Sequence, residues 1–487
     1  MSTTRAAFST PVTLDPPEYT EDGEYSPMSA HFEESHTSFP LMDSSSNSGR
    51  YNPLPVLLSH RCLHEMESRT PPPSTTRIFT YNIQRKGKAW AELKVAADKL
   101  MSKNTPTFIE GSRIEGEVNL YATRPENIHS LIVYAKGQVI TGAHNSEQLT
   151  FFETSQTIWS KSKDEPRKRN SRPSPERTPS PSGTDKLHGT FTWPFCLEIP
   201  REVVVASKAT RGEPRVYRPP ESFFERHERA SVRYEICVRF VRGYFKPDDR
   251  IHATFGYIPL TIPKTPSALR QIAYEQGTPL LGPQDDPDGW HECKTVKLKG
   301  RIFHQREAEV YCTLLLAKPL TYTRGAVIPC WLLLRSNNTQ ALDLLATPKA
   351  VVTRLRRCVK AAADQTKAVE NINWRDQTEL SELGIWWPAG GSRYTREMSG
   401  ELHLKIDLKP SSAMAHFRIE YSVVLFPFDT PDFEVVDTAP LIKQPVEIVT
   451  GYAPGPRPRM YAPPEYESPD TVVVDSQYHQ MLTTGFA

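Results

Sequence analysis

The chain has 487 residues, with a hydrophobic share of 38 % and a charged share of 24 %. That length allows two or three domains, and the low apolar content predicts cores diluted by disordered segments. Lys and Arg total 59 against 57 Asp and Glu, and the resulting net charge of +2 argues against a dedicated nucleic-acid partner.

Residues 1–76 are rich in Ser, Thr, Pro, Asp and Glu, as in "MDSSSNSG" and "RTPPPSTT", and predict a disordered tail. A strand-rich block over 77–264 follows. In "RIEGEVNLY", Ile114, Val118 and Leu120 share one face, with Arg113, Glu115, Glu117 and Asn119 on the other. In "SVRYEICVRF", Val232, Tyr234, Ile236, Val238 and Phe240 alternate with Arg233, Glu235 and Arg239. Successive strand side chains face opposite sides, so both stretches predict a sheet with one wet face. The block is interrupted at 161–186 by a segment with no apolar periodicity, which predicts a mobile loop between two strands. From Lys161 to Arg177 this insert holds seven basic and three acidic residues, an excess of +4.

Residues 265–290 predict a short helix and an acidic linker. Thr265 suits the cap, Pro266 the first turn and Gly277 the stop, and Leu269, Ile272 and Ala273 make one apolar face. A second strand-rich block covers 291–450. "ELHLKIDLK" (Glu401 to Lys409) alternates throughout, "FRIEYSVVL" (Phe417 to Leu425) likewise, and "PVEIV" (Pro445 to Val449) is the last predicted strand. Residues 361–373 fit helix or loop. Residues 451–487 are again Pro-rich and predict a second disordered tail. The expectation is an all-β protein: two tandem antiparallel β-sandwiches of immunoglobulin-like architecture, between disordered Pro- and Ser-rich tails.

No GxSxG, GxxxxGK[ST], HExxH or GxGxxG motif is present. His60, Cys62 and His64 alternate in "HRCLHE", and His291 lies near Cys293, but neither group has the four-ligand spacing of a structural zinc site. The scattered carboxylates fit wet strand faces. No metal, cofactor or catalytic residue is therefore assigned, and a binding protein is expected rather than an enzyme. Seven cysteines without a CxxC pair predict free thiols in a reducing compartment. "MSTTRAAFSTPVTL" lacks the apolar run of a signal peptide, and "AVIPCWLLL" is too short to span a bilayer. A soluble, intracellular protein is expected.

The sharpest signal is a repeated word. Pro-Pro-Glu-Tyr occurs at Pro16, Pro17, Glu18 and Tyr19, and again at Pro463, Pro464, Glu465 and Tyr466. Proline fixes φ near the polyproline II value, so a Pro-Pro pair loses little entropy on docking into an aromatic-lined groove. PPxY is the signature that one group of WW domains reads. Two copies by chance are expected in on the order of one per cent of chains this Pro-rich. Both copies lie in predicted tails. "YRPPESFF" carries Pro219 and Pro220 but has Ser222 where the tyrosine is needed, and it lies inside the first β block.

Taken together, the β blocks and tails resemble the α-arrestins, the arrestin-related trafficking adaptors, of a fungal type. The first block carries the resemblance in "FIEGSRIEGEVNLYATRPENIHSLIVYAKGQV" (Phe108 to Val139), in "GTFTWPFCLEIP" (Gly189 to Pro200) with Trp193 in place of the usual Phe, and in "SVRYEICVRFVR". "YTRGAVIPCWLLLRSNN" (Tyr322 to Asn338) carries it more loosely in the second block. The resemblance implies arrestin N and C domains that bind plasma-membrane transporters or receptors. It also implies PPxY motifs that recruit a HECT-type ubiquitin ligase bearing WW domains, so that cargo is ubiquitinated and internalised. The expected location is the cytoplasm, with recruitment to plasma membrane and endosomes. An arrestin-fold coat scaffold of the retromer type, without ubiquitin recruitment, is the second reading.

The basic insert carries Ser174-Pro175, Thr178-Pro179 and Ser180-Pro181, typical of proline-directed kinase sites, and Ser171 follows a basic run. Each phosphate adds about −1.5 to −2 charges, so two or three cancel the +4. The expectation is that Arg167, Lys168, Arg169 and Arg172 lean on anionic lipid or an acidic cargo tail until phosphorylation releases them. A solvated loop with incidental Ser-Pro pairs is the alternative.

Overall fold

The computed structural model describes residues 76–466, apart from 143, 145–146, 162–185, 206–214, 244–245, 363–373 and the side chain of residue 382. The first block contributes twelve strands: β1 (Thr76–Arg85), β2 (Lys88–Asp98), β3 (Thr107–Ile109), β4 (Arg113–Glu126), β5 (Ser130–Ile140), β6 (Gln148–Ser160), β7 (Leu187–Glu198), β8 (Val203–Val205), β9 (Arg215–Tyr217), β10 (Phe223–Phe224), β11 (Ser231–Val241) and β12 (Asp249–Ile258). One sheet runs β1-β2-β4-β7. The facing sheet runs β3-β12-β11-β5-β6, with β10 added to β11, and β8 pairs with β9 apart from both.

After helix α1 (Ala268–Gln276), the second block contributes β13 (Trp290–Glu292), β14 (Val296–Ile302), β15 (Arg306–Ala317), β16 (Thr321–Thr323), β17 (Val327–Arg335), helix α2 (Thr339–Leu345), β18 (Thr353–Ala362), β19 (Trp374–Leu383), β20 (Ile385–Ser392), β21 (Thr395–His403), β22 (Ser412–Met414), β23 (Phe417–Leu425), β24 (Phe433–Val435) and β25 (Ile442–Val449). Its sheets run β20-β21-β17-β15-β14-β24, with β13 on β15, and β16-β25-β23-β18-β19, with β22 on β23. The second of these repeats the plan of the first block's facing sheet. In each, a short strand pairs parallel to the last strand, β3 to β12 and β16 to β25, while the other pairings are antiparallel. The described residues are all-β, two sandwiches in tandem.

The predicted alternation produces the cores. Ile114, Val118 and Leu120 on β4 are fully buried, as are Val232, Tyr234, Ile236, Val238 and Phe240 on β11. Tyr234 is the hub of the first core, with the rings of Phe151, Phe152, Phe255 and Tyr257 within 5.0–6.0 Å of it. Its hydroxyl, which needs a partner when buried, donates to the Pro220 carbonyl at 2.5 Å. Asn119 departs from the wet face assigned to it. It is buried, and its amide donates to Glu117 while its oxygen accepts from Thr192 at 2.7 Å.

Three expectations change. Helix α1 begins at Ala268 and is capped by Ser267, not Thr265, while Gly277 closes it at φ 70° as expected. Its buried face is Arg270, Ala273 and Tyr274, and Leu269 and Ile272 are exposed. Arg270 is drawn inward because its guanidinium donates to the carbonyls of Lys318 and Gly289 and lies over Trp290, at 4.9 Å from its centre. The strand read over Glu401 to Lys409 stops at His403, because its partner β17 begins opposite it at Val327. The tail read as disordered from residue 451 instead lies against the body as far as Tyr466.

Candidate functional site

The last described residues form a strap across the junction of the two sandwiches. It starts where Gly451 N–H donates to the Thr261 carbonyl at 2.8 Å, and Thr450 Oγ1 donates to the Pro259 carbonyl at 2.6 Å. These bonds tie the end of β25 to the chain just beyond β12. Further along, the Arg457 guanidinium lies 4.1 Å from the Tyr452 ring centre, and Arg459 donates to the Glu275 carbonyl in the last turn of α1. The Tyr461 ring stacks on Tyr274 with centres 6.4 Å apart, and its hydroxyl donates to the Ala273 carbonyl at 3.1 Å. Partial burial pushes the Tyr461 phenol above its usual range.

Glu401 on β21 anchors the strap. Its side chain is 2 % exposed, and its two oxygens accept from the backbone N–H groups of Tyr461 at 2.7 Å and Ala462 at 3.3 Å. The C-terminal word comes next. Pro464–Tyr466 form one 3-10 turn, in which Tyr466 N–H donates to the Pro463 carbonyl at 3.0 Å. Pro463 is half-buried, Pro464 and Glu465 are exposed, and Tyr466 is 37 % exposed. The structure thus presents Pro464 and Tyr466 at the surface and Pro463 half-buried, in a turn rather than the extended form that a WW groove takes.

Pro16, Pro17 and Tyr19 lie outside the described residues, as do Arg167, Lys168, Arg169, Arg172, Ser171, Ser174, Thr178 and Ser180. The roots of the insert are described. β6 ends at Ser160 in one sheet and β7 begins at Leu187 in the other, and both meet the body at the β4–β5 turn. There Lys161 donates to the Asn127 side chain at 2.7 Å and Leu187 pairs with Glu126. This corner holds an ion cluster. Arg242, 6 % exposed, and Arg85 both bond Glu126 and Asp249, and both guanidiniums lie over Trp90. Burial alone would lower Arg242, but its bonds to Glu126 and Asp249 outweigh it and hold the guanidinium above its usual range.

A second set of residues, not singled out from the sequence, clasps the sandwiches together. Phe223 on β10 packs on Phe417 on β23, with ring centres 5.2 Å apart. Glu221 beside it is buried and accepts from Arg324 and Lys409, each at 2.8 Å. Arg357 on β18 makes a two-pronged bond to Glu225, at 2.8 and 2.7 Å, and a third to Glu379. The Glu225 bond raises Arg357 above its usual range, and burial raises the neighbouring Glu228 carboxyl. A lone charge on a strand carries no sequence signal for such a partner, which here lies more than a hundred residues away.

Pro219 and Pro220 of the near-copy are buried in the first sandwich. His291 and Cys293 meet Gln444 rather than a metal-ligand set, and burial pushes the Cys293 thiol up to about 11. Among the described residues no group of three or more His, Cys, Asp and Glu is placed to hold a metal ion. The six described cysteines are free thiols. Among the described residues no helix is long and apolar enough to cross a membrane.

Residues 98–260 match the family model for arrestin (or S-antigen), N-terminal domain. The matched span runs from the end of β2 to just beyond β12 and takes in the Tyr234 core. No curated protein matches the chain. The family match covers the first sandwich, about a third of the chain, and supports an arrestin-type fold there.

Proposed function

We propose that this arrestin-type chain is an α-arrestin adaptor that links membrane transporters or receptors to a WW-domain HECT-type ubiquitin ligase, promoting cargo ubiquitination, endocytosis and sorting. The observation that carries the proposal is the exposure of Pro464 and Tyr466 of the second motif on a two-sandwich body whose first domain matches an arrestin N-terminal domain. The body is the cargo-binding part, and Pro16, Pro17, Tyr19 and Pro463, Pro464, Tyr466 are the ligase-binding parts. Two weak motifs on one chain engage a ligase with several WW domains together, and avidity rises without any new contact.

The basic insert belongs to the same proposal as a membrane-proximal switch. Its roots emerge from one corner of the first sandwich. Arg167, Lys168, Arg169 and Arg172 contact anionic lipid or an acidic cargo tail, and phosphates at Ser171, Ser174, Thr178 and Ser180 reverse that contact.

The test is capture by immobilised tandem WW domains. Tyr19→Ala and Tyr466→Ala together are expected to abolish capture, and each alone to weaken it. Undiminished capture of the double variant rules out PPxY-dependent recruitment.

A further inference from the structure

We propose that residues 459–463 occupy a peptide-binding cleft on the second sandwich in cis, with Glu401 as its anchor, and that this occupancy withholds the Pro463-Pro464-Glu465-Tyr466 motif from a WW domain. The identity of the outside partner rests on the ligase-docking proposal. The cleft stands on geometry alone.

Glu401 supplies the first argument. A carboxylate this buried is costly unless its oxygens are satisfied. Two successive backbone N–H groups of the strap satisfy them, at 2.7 and 3.3 Å, and His403 Nε2 is the remaining neighbour at 3.3 Å. The anchor therefore selects a segment with two consecutive N–H groups. In the strap these are Tyr461 and Ala462, the last two before Pro463 and Pro464, which have none. The register of the strap is thus set at the doorstep of the motif.

The end of α1 supplies the second. Its last turn carries the negative end of the helix dipole, and Ala273 O already accepts the capping N–H groups of Gly277 and Thr278 at 2.8 and 3.1 Å. The Tyr461 hydroxyl donates to Ala273 O and the Arg459 guanidinium to Glu275 O, so an aromatic donor and a cation sit where such groups are favoured. The stacked Tyr274 ring completes the cleft wall. Two elements far apart in sequence, β21 and α1, converge on one short peptide.

The docked form differs from the form a WW groove reads. The Tyr466 N–H bond to Pro463 O closes a 3-10 turn, and Pro463 is half-buried, whereas recognition needs both prolines extended and open. Docking on the body and docking on the ligase thus exclude each other. The upstream part of the strap, residues 452–458, spans a hollow. A cleft of about 60 Å³ remains beneath it, between Tyr452 and Pro456 of the strap and Tyr274, Tyr322 and Pro329 of the body. Its lining has already forfeited packing contacts, which lowers the cost of local opening. Affinity for an outside partner falls by the fraction of chains in which the strap is released.

The experiment uses the full chain carrying Tyr19→Ala, so that only the C-terminal motif reports. A purified WW domain is titrated against that chain and against a synthetic peptide of residues 457–470. The peptide is expected to bind about tenfold more tightly than the chain, and Glu401→Gln or Tyr461→Ala in the chain to close the gap. Amide hydrogen exchange reads the cleft independently of any ligase, with Glu401→Gln expected to speed exchange at Tyr461 and Ala462 in a chain whose Tm is otherwise retained. If Glu401→Gln fails to fold, Tyr461→Ala, at a half-buried position of the strap, carries both readouts. Equal affinity of chain and peptide overturns the withholding, and unaltered exchange in both variants overturns the cleft. A peptide that binds no WW domain overturns the ligase proposal instead, and exchange alone then decides the cleft.

Discussion

Replacing Arg357 by Ala removes the guanidinium that joins the two sandwiches. Its side chain is 14 % exposed and meets Glu225, Glu379 and, at 3.9 Å, Glu228, which is 7 % exposed. Breaking a fully buried pair costs about 3–5 kcal/mol, and a surface pair about 0–1 kcal/mol. Glu225 at 31 % and Glu379 at 66 % exposed are partly screened, whereas Glu228 is not, so the expected loss is about 2–3 kcal/mol near neutral pH. The variant leaves three carboxylates facing one another. Burial already raises Glu228, and without Arg357 it rises further. Protonation relieves that repulsion, so the loss is larger at pH 8 than at pH 5. Urea unfolding followed by tryptophan fluorescence measures it. Lys at this position is expected to restore less than half, because an ammonium cannot make the two-pronged bond. A midpoint for Arg357→Ala indistinguishable from the parent at both pH values refutes the clasp.

Two further predictions concern the first sandwich. A Cβ on Gly116 would lie 2.1 Å from the Lys94 carbonyl oxygen and 2.7 Å from the Phe195 ring, so Gly116→Ala is expected to cost about 3 kcal/mol in thermal or urea unfolding. At Glu235, burial alone would raise the carboxyl, but bonds from Lys136 and His252 outweigh it and hold it below its usual range. Its contribution is therefore full above the unfolded-chain value of about 4.3 and is lost as pH falls through the lower folded value. Glu235→Gln is expected to unfold less steeply with acid below about pH 4.3, as read by Tm against pH.

How much of this was legible in the sequence depends on the distance over which each feature is decided. The period-2 pattern of Ser231 to Phe240 placed every predicted core residue, because side-chain direction in a strand is a local property. The stop of β21 at His403 was not legible. The alternation continues to Lys409, but a strand needs a partner, and β17 begins only at Val327, opposite His403. The buried face of α1 is likewise decided at a distance. Leu269 and Ile272 look like a core stripe, yet the carbonyls that draw Arg270 inward belong to Gly289 and Lys318. The PPEY word at 463–466 was legible as a motif. Its strap was not, since a Pro-rich composition reads as tail, and the residues that hold it, Glu401 and Ala273, lie 60 and 188 positions away from Tyr461.

The adaptor proposal joins cargo on the sandwiches to a ligase on the tails, and proximity labelling from the full chain in cells reads both at once. With intact tyrosines the labelled set is expected to contain a WW-domain HECT-type ligase together with membrane transporters or receptors. With Tyr19→Ala and Tyr466→Ala the ligase is expected to drop out while the membrane proteins stay. A labelled set that keeps the ligase unchanged in the double variant, or that never contains a membrane protein, contradicts the account.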